Sequence, residues 1–208
     1  LKDVYSAVRE GARLELAGTS VKKVEKSRKY VENLVKKGEV VYGITTGFGE
    51  FASVGIKKDD AARLQKNLIM SHAAGCGEHY GPEFVRAAMV LRANALAKGY
   101  SGITLRTLQI LIDMINHGIT PMVPIHGSVG SSGDLAPLSH IVLAMLGMGE
   151  ALYKGKIMKA ADALKQAKIN RAELSYKEGL ALINGTQMMC GIGALLVGRA
   201  HQLYLLAN

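Results

Sequence analysis

With 208 residues, 49% of them hydrophobic and no tryptophan, the chain is long enough to bury a sizeable core, as one domain or as part of a larger one. Its formal charge of +9 comes from Lys and Arg spread through amphipathic stretches, and the densest run, 22–29, lacks the interleaved aromatics of a single-strand nucleic-acid surface and reads as a solvated helix face. Two distant cysteines without metal-site spacing, no apolar run of spanning length free of glycine or charge, and no visible signal peptide lead to the expectation of a cytoplasmic protein that engages neither nucleic acid nor membrane.

In chain order, Val4, Val8, Ala12 and Leu14 recur at near-helical spacing and predict a first helix over 2–16, closed by Gly18. Thr19 and Ser20 offer a cap for a second helix through Lys37, with Val21, Val24, Tyr30, Val31, Leu34 and Val35 on one stripe and Gly38 as its stop. Next comes Val40-Val41-Tyr42-Gly43-Ile44-Thr45-Thr46-Gly47-Phe48-Gly49, β-branched, aromatic and punctuated by glycine, which predicts an ordered loop rather than a helix. Loops of that make-up often lie over pockets. Tyr42 reads either as a packed tyrosine with a satisfied hydroxyl or as a group serving such a pocket.

Residues 57–72 predict a third helix with Asp59 and Asp60 in its first turn, where carboxylates complement the dipole. It runs out in Ser71-His72-Ala73-Ala74-Gly75, and a single histidine at a helix end is structural as readily as chemical. Pro82 opens an alanine-rich helix through Ala97, suited to close packing and broken by Gly99 and Gly102. Residues 105–116 form a further amphipathic helix that stops near Gly118.

Then follows Gly127-Ser128-Val129-Gly130-Ser131-Ser132-Gly133-Asp134-Leu135-Ala136-Pro137-Leu138. A Gly/Ser cluster before a helix is ordinarily a turn with a serine or aspartate cap. It is not a P-loop, because Asp134 stands where Lys-Ser or Lys-Thr would. Nor is it a nucleophile elbow, since Gly130-Ser131-Ser132-Gly133 is one residue short of G-x-S-x-G. The alternative is chemistry on the backbone itself, because Gly133 permits conformations and close approaches closed to other residues. Attack of its amide nitrogen on the Ser131 carbonyl, with loss of water from Ser132, would leave a methylidene-imidazolone, an electrophile that no ordinary side chain supplies. On this stretch alone both readings stand.

Beyond Pro137 an apolar helix is expected over 138–148, ended by Gly147 and Gly149. Residues 153–157 predict a hairpin with a basic turn, and 160–167 a short helix. The stretch from Glu178 to Gln187 then leads into a long apolar helix to the end, and Asn184-Gly185 within that apolar run predicts either a kink using left-handed geometry or a buried amide aimed into a site. The pattern is all-α, with helices joined by glycine-rich loops and vestigial strands, and residues 1–208 read as a single domain. A start at Leu1 and an end within a helical pattern at Asn208 point to a piece of a longer protein.

Taken together and in this order, several stretches resemble the aromatic amino-acid ammonia-lyase family, which includes histidine, phenylalanine and tyrosine ammonia-lyases and related aminomutases. They are residues 41–49, Leu68-Ile69-Met70-Ser71-His72-Ala73-Ala74-Gly75, 92–102, 127–140 and 177–187. The resemblance spans essentially the whole chain, and Ser71-His72-Ala73-Ala74-Gly75 is most similar to the histidine-specific members, which convert L-histidine to trans-urocanate and ammonia. It implies the N-terminal portion of a larger fumarase/aspartase-like helical-bundle lyase, with a homotetrameric parent, a small amino-acid substrate and no external cofactor. Ser131, Ser132 and Gly133 would form the methylidene-imidazolone, and Asp134 and Asn184 would help to form and orient it. Asn184 would also hold the amino-acid part of the substrate. Tyr42 would be the base, or an orienting phenol, for loss of the β-proton, and His72 would contact the substrate ring. A ring at helix N-termini would gain electron-withdrawing power from their dipoles. A tyrosine base would need neighbouring charge or hydrogen bonds to work near neutral pH.

The sequence departs from the family pattern in places. Ser131 replaces the usual alanine, and because that side chain becomes a ring substituent and does not react, closure is expected to proceed. His126 replaces the usual glutamine. Family members are more than twice as long and draw further tyrosine, arginine and glutamate contacts from later helices, so the 208 residues alone are expected to be inactive. Other readings on the same scaffold are a tyrosine- or phenylalanine-specific lyase, an aminomutase, and a non-catalytic paralogue whose Ser131 triad stays open. His72 argues against phenylalanine more clearly than against tyrosine.

Overall fold

The structure, a computed structural model, describes residues 2–46 and 60–207. It opens with α1 (Lys2–Tyr5), which runs into a π-helical turn, Ser6–Glu10, ending at Gly11. The helix expected over 2–16 therefore stops early. The reason is tertiary: Asn116 holds the backbone of Leu14 from both sides, accepting from its N–H and donating to its carbonyl, each at 2.9 Å. That grip uses backbone groups that a helix would need for itself.

Helix α2 (Gly18–Lys37) begins at the glycine expected to close its predecessor, and Thr19 and Ser20 lie inside its first turn rather than capping it. It stops as expected at Gly38, in the left-handed region at φ 68°. Val24, Val31 and Leu34 face inward, whereas Tyr30, placed on the same stripe from sequence, is 65% exposed. Helix α3 (Ala61–His72) ends as expected, and its predicted start at 57–59 lies outside the described residues. Asp60 precedes it without a side-chain cap and pairs instead with Arg63 at 2.7 Å.

Strand β1 (Cys76–His79), α4 (Pro82–Ala97) and α5 (Leu105–Asn116) follow, the two helices matching their expected bounds. Thr104 caps α5 through its hydroxyl, which accepts from the Thr107 N–H. After β2 (Thr120–Pro121) and β3 (Pro124–His126) comes α6 (Leu135–Met145). It starts three residues before its expected first residue, because Pro137 sits in the first turn, where a missing N–H costs no helical bond. The chain closes with β4 (Glu150–Tyr153), β5 (Lys156–Lys159), α7 (Ala160–Gln166), α8 (Glu178–Ile183) and α9 (Gln187–Ala207). The expected hairpin is β4–β5, to which β2 adds a third antiparallel strand, and β1 pairs antiparallel with β3.

Helix α4 lies at the centre of the main core, with Val85, Ala88, Met89, Val90, Ala93 and Leu96 buried. Helix α9 runs along it at close range: a Cβ on Gly191 would lie 2.9 Å from the Ala88 nitrogen. The alanines of α4 admit that approach, as its composition predicts. A second, smaller cluster joins Val31, Leu34, Ile44, Ala61 and Tyr176. By length and composition alone Glu178–Ala207 would pass for a membrane span, and 33% of its most apolar window is buried within the protein. The outer part of α9 exposes Leu203, Tyr204, Leu205 and Leu206.

Candidate active site

The glycine-rich turn enters α6 on one side of a clasp, and the break between α8 and α9 forms the other. Gly133 has φ +108°, and a Cβ there would lie 2.5 Å from the Gly185 carbonyl oxygen, so the position admits only glycine. The Asp134 N–H donates to that same oxygen at 2.7 Å. Asp134 itself is 5% exposed. Its Oδ1 accepts from Ser128 Oγ at 3.2 Å and its Oδ2 from the Met189 N–H at 2.9 Å. The carboxylate thus stands at the N-terminus of α6 while reaching into the first turn of α9, where both helix dipoles favour negative charge. Ser131 and Ser132 are exposed above this buried base.

The other half of the clasp corrects one expectation. Asn184 is extended, at φ −85° and ψ 99°, so the break does not use left-handed geometry, and its side chain is exposed rather than buried. The corner is held from beneath by Arg92 on α4, which is 7% exposed. Its Nη1 donates to Gln187 Oε1 at 2.7 Å, and its Nη2 to the Asn184 carbonyl at 3.0 Å and to the Ala181 carbonyl. Burial pushes the Arg92 guanidinium down to about 10, which leaves it cationic at neutral pH. Nearby, Lys177 donates to the Ser101 carbonyl at 2.7 Å, and burial first, then the charge of Arg92, hold it below the ordinary lysine value.

His72 closes α3, which packs on both α6 and α8. Its Nδ1 lies 2.9 Å from the Leu68 carbonyl and 3.1 Å from Ser71 Oγ. A carbonyl only accepts, so Nδ1 carries the hydrogen and Nε2 of the neutral ring remains an acceptor. Three residues on, Gly75 meets the glycine-rich turn: a Cβ on Gly127 would lie 3.0 Å from Gly75 Cα. The Gly75 N–H donates to His140 Nε2 on α6 at 3.1 Å, and burial, followed by the charge of His79, holds His140 below the usual histidine value. His126 lays its ring over Gly77, where a Cβ would lie 2.7 Å from Cδ2.

Of the residues singled out from sequence, the structure thus gathers Ser131, Ser132, Gly133, Asp134 and Asn184 into one clasp, with the segment after His72 against it. Tyr42 stands on the turn that precedes the undescribed residues 47–59. It is 62% exposed, on a turn fixed by Thr45 and Thr46 side-chain hydrogen bonds and seated on the second cluster through Ile44. Gly47, Phe48 and Gly49 of the same loop lie outside the described residues. Sequence reading did not single out Arg92, Gln187, Ser128 or His140. For Arg92 a signal existed: it shares the buried face of α4 with Val85, Met89 and Leu96, and a charge on an apolar face asks for a partner. Among the described residues no group of three His, Cys, Asp or Glu is placed to hold a metal ion.

The family described as aromatic amino acid lyase matches residues 1–208. A histidine ammonia-lyase of Alkaliphilus metalliredigens is 51% identical over 208 residues, covering 100% of this chain and 41% of its own. Among solved structures, the phenylalanine aminomutase of Pantoea agglomerans has a TM-score of 0.91 at 39% identity, covering 98% of this chain and 40% of that one. The histidine ammonia-lyase of Trypanosoma cruzi has a TM-score of 0.91 at 38% identity, covering 97% and 40%. The chain therefore spans about two fifths of the length of these relatives. With the match running from its first residue to its last, the chain belongs to the aromatic amino acid lyase family.

Proposed function

We propose that these residues are the N-terminal part of a histidine ammonia-lyase, a carbon–nitrogen lyase that releases ammonia from L-histidine to give trans-urocanate. One observation carries the reading: exposed Ser132 stands between Ser131 and a Gly133 whose backbone angle and contact with Gly185 admit no side chain. These residues fit a methylidene-imidazolone, since ring closure needs a glycine at the third position and the methylene derived from Ser132 would face outward, where a substrate reaches it. When formed, the ring supplies an electrophile for the substrate amino nitrogen, which is otherwise a poor leaving group.

The chain's own residues take the remaining roles. Asp134, held between two helix N-termini, fixes the loop on its buried side. Asn184 presents its exposed amide beside the loop to the amino-acid part of the substrate. His72, with its hydrogen on Nδ1, offers Nε2 as an acceptor to the N–H of a substrate imidazole. Tyr42 takes the β-proton of the substrate. The exposed free thiols of Cys76 and Cys190 suit a reducing cytoplasm. Residues 1–208 form one domain of a homotetrameric parent, and alone they turn over no substrate.

Mass spectrometry of the peptide 127–138 from the full-length protein tests the ring: loss of two waters is expected, and its absence overturns the reading. A second reading, an aminomutase, is favoured by the close likeness to the Pantoea agglomerans enzyme. Incubating the full-length protein with L-histidine, L-tyrosine and L-phenylalanine separates the two: urocanate absorbance supports the lyase, and a β-amino acid product supports the mutase.

A further inference from the structure

Arg92 is the buried cation of the described residues, and no carboxylate pairs with it there. A guanidinium buried for charge pairing would meet a planar carboxylate. This one gives its two Nη groups to one short piece of chain, the Gln187 side chain and the carbonyls of Ala181 and Asn184, while its buried Nε has no hydrogen-bond partner among the described residues. Gly185 is wedged within that grip, because a Cβ on it would strike both Arg92 Nη1 and Gln187 Oε1. Its carbonyl takes the Asp134 N–H at 2.7 Å and occupies the space that a Cβ on Gly133 would need.

We infer that Arg92, together with Gln187, is a positioning residue that fixes the Gly185 carbonyl as a backstop for the glycine-rich turn, holding Gly133 and Asp134 in the shape from which the triad closes. Closure forms the bond between Gly133 N and the Ser131 carbonyl carbon, and the carbonyl oxygen leaves as water with the amide hydrogens of Gly133 and Ser132, so that the carbon becomes doubly bonded to Ser132 N; Ser132 then loses its hydroxyl and Hα as a second water, and no oxidant is required. The backstop engages the Asp134 amide, one residue past the attacking nitrogen, so Gly133 N is left out of that bond. The closure clause rests on the proposed function, whereas the clamp itself does not.

The test uses the full-length protein with Arg92→Met, Arg92→Lys and Gln187→Met. Hydrogen exchange resolved to the Asp134 and Met189 amides reads the clamp, the amides of α5 serve as internal reference, and the mass of peptide 127–138 reads closure. Arg92→Met is expected to speed exchange at Asp134 and Met189 about tenfold with α5 unchanged, and to lower the share of doubly dehydrated peptide. Gln187→Met shifts both in the same direction by less, and Arg92→Lys restores part of each. Unchanged exchange at Asp134, or a rise shared equally by α5, overturns the inference. If Arg92→Met does not fold, Gln187→Met decides on the same criterion. A wild-type peptide that has lost no water sinks the ring while the exchange measurements still decide the clamp.

Discussion

Gly133 carries two constraints at once, a positive φ and a backbone oxygen where a Cβ would be. Either alone is costly for an L side chain, and neither is relieved without moving the α8–α9 corner that Arg92 holds. Gly133→Ala is expected to lower stability by about 3 kcal/mol or more, read as a shifted urea midpoint. His140 offers a different kind of test, because its Nε2 accepts from the Gly75 N–H and so needs the neutral ring. Burial, then His79, favours that form, and Glu150 is the carboxylate lining the same small cavity. With the folded value below the ordinary one of about 6.5, the unfolded chain takes up the proton first. This contribution is therefore complete above that pH and fades as pH falls through the folded value. The thermal midpoint should drop on acidification below about pH 6.5, and His140→Gln should flatten that part of the profile.

Between elements, the clearest lock joins the starts of α5 and α8. Glu178, 1% exposed, accepts from the Thr104 N–H, from Thr104 Oγ1 and from the Ser175 N–H. All its partners are donors, so Glu178→Gln turns an NH2 group toward them and is expected to cost about 1–3 kcal/mol, measurable by chemical denaturation. Glu178 was visible only as the start of a helix, which shows where sequence reading ends. Local signals served well: Pro82 opened α4, Gly38 stopped α2, and apolar spacing bounded α5. The misses share a cause. Asn116 holds the chain out of a helix at Leu14 and β1 finds β3 some fifty residues on, both through partners distant in sequence, whereas the break at Asn184-Gly185 was expected and only its extended geometry was not. At the proposed site, Ser131, Ser132, Gly133, Asp134 and Asn184 were singled out in the sequence through the order of their residue types and the family resemblance, and the structure brings them side by side. The residues that hold them in place were not, since Arg92 and His140 gain their meaning only from what the fold brings alongside.

At the scale of the molecule, the chain spans about two fifths of its relatives, and the apolar end of α9 is exposed over Leu203, Tyr204, Leu205 and Leu206. Under the proposed function, a urocanate assay is expected to show no turnover by the isolated 208 residues and turnover of L-histidine by the full-length protein. The division of the core has its own consequence. The clasp rests on the main cluster, while the Tyr42 turn rests on the smaller one with Ile44 and Tyr176. Among the described residues that cluster is the smaller, and the turn seated on it is expected to open as a separate, weaker cooperative unit. In full-length protein, rising urea should abolish turnover before helical circular dichroism declines, with exchange at the Ile44 amide accelerating ahead of that at Asp134. The phenol and the electrophile would then belong to two melting units, and the enzyme would fall silent while still folded.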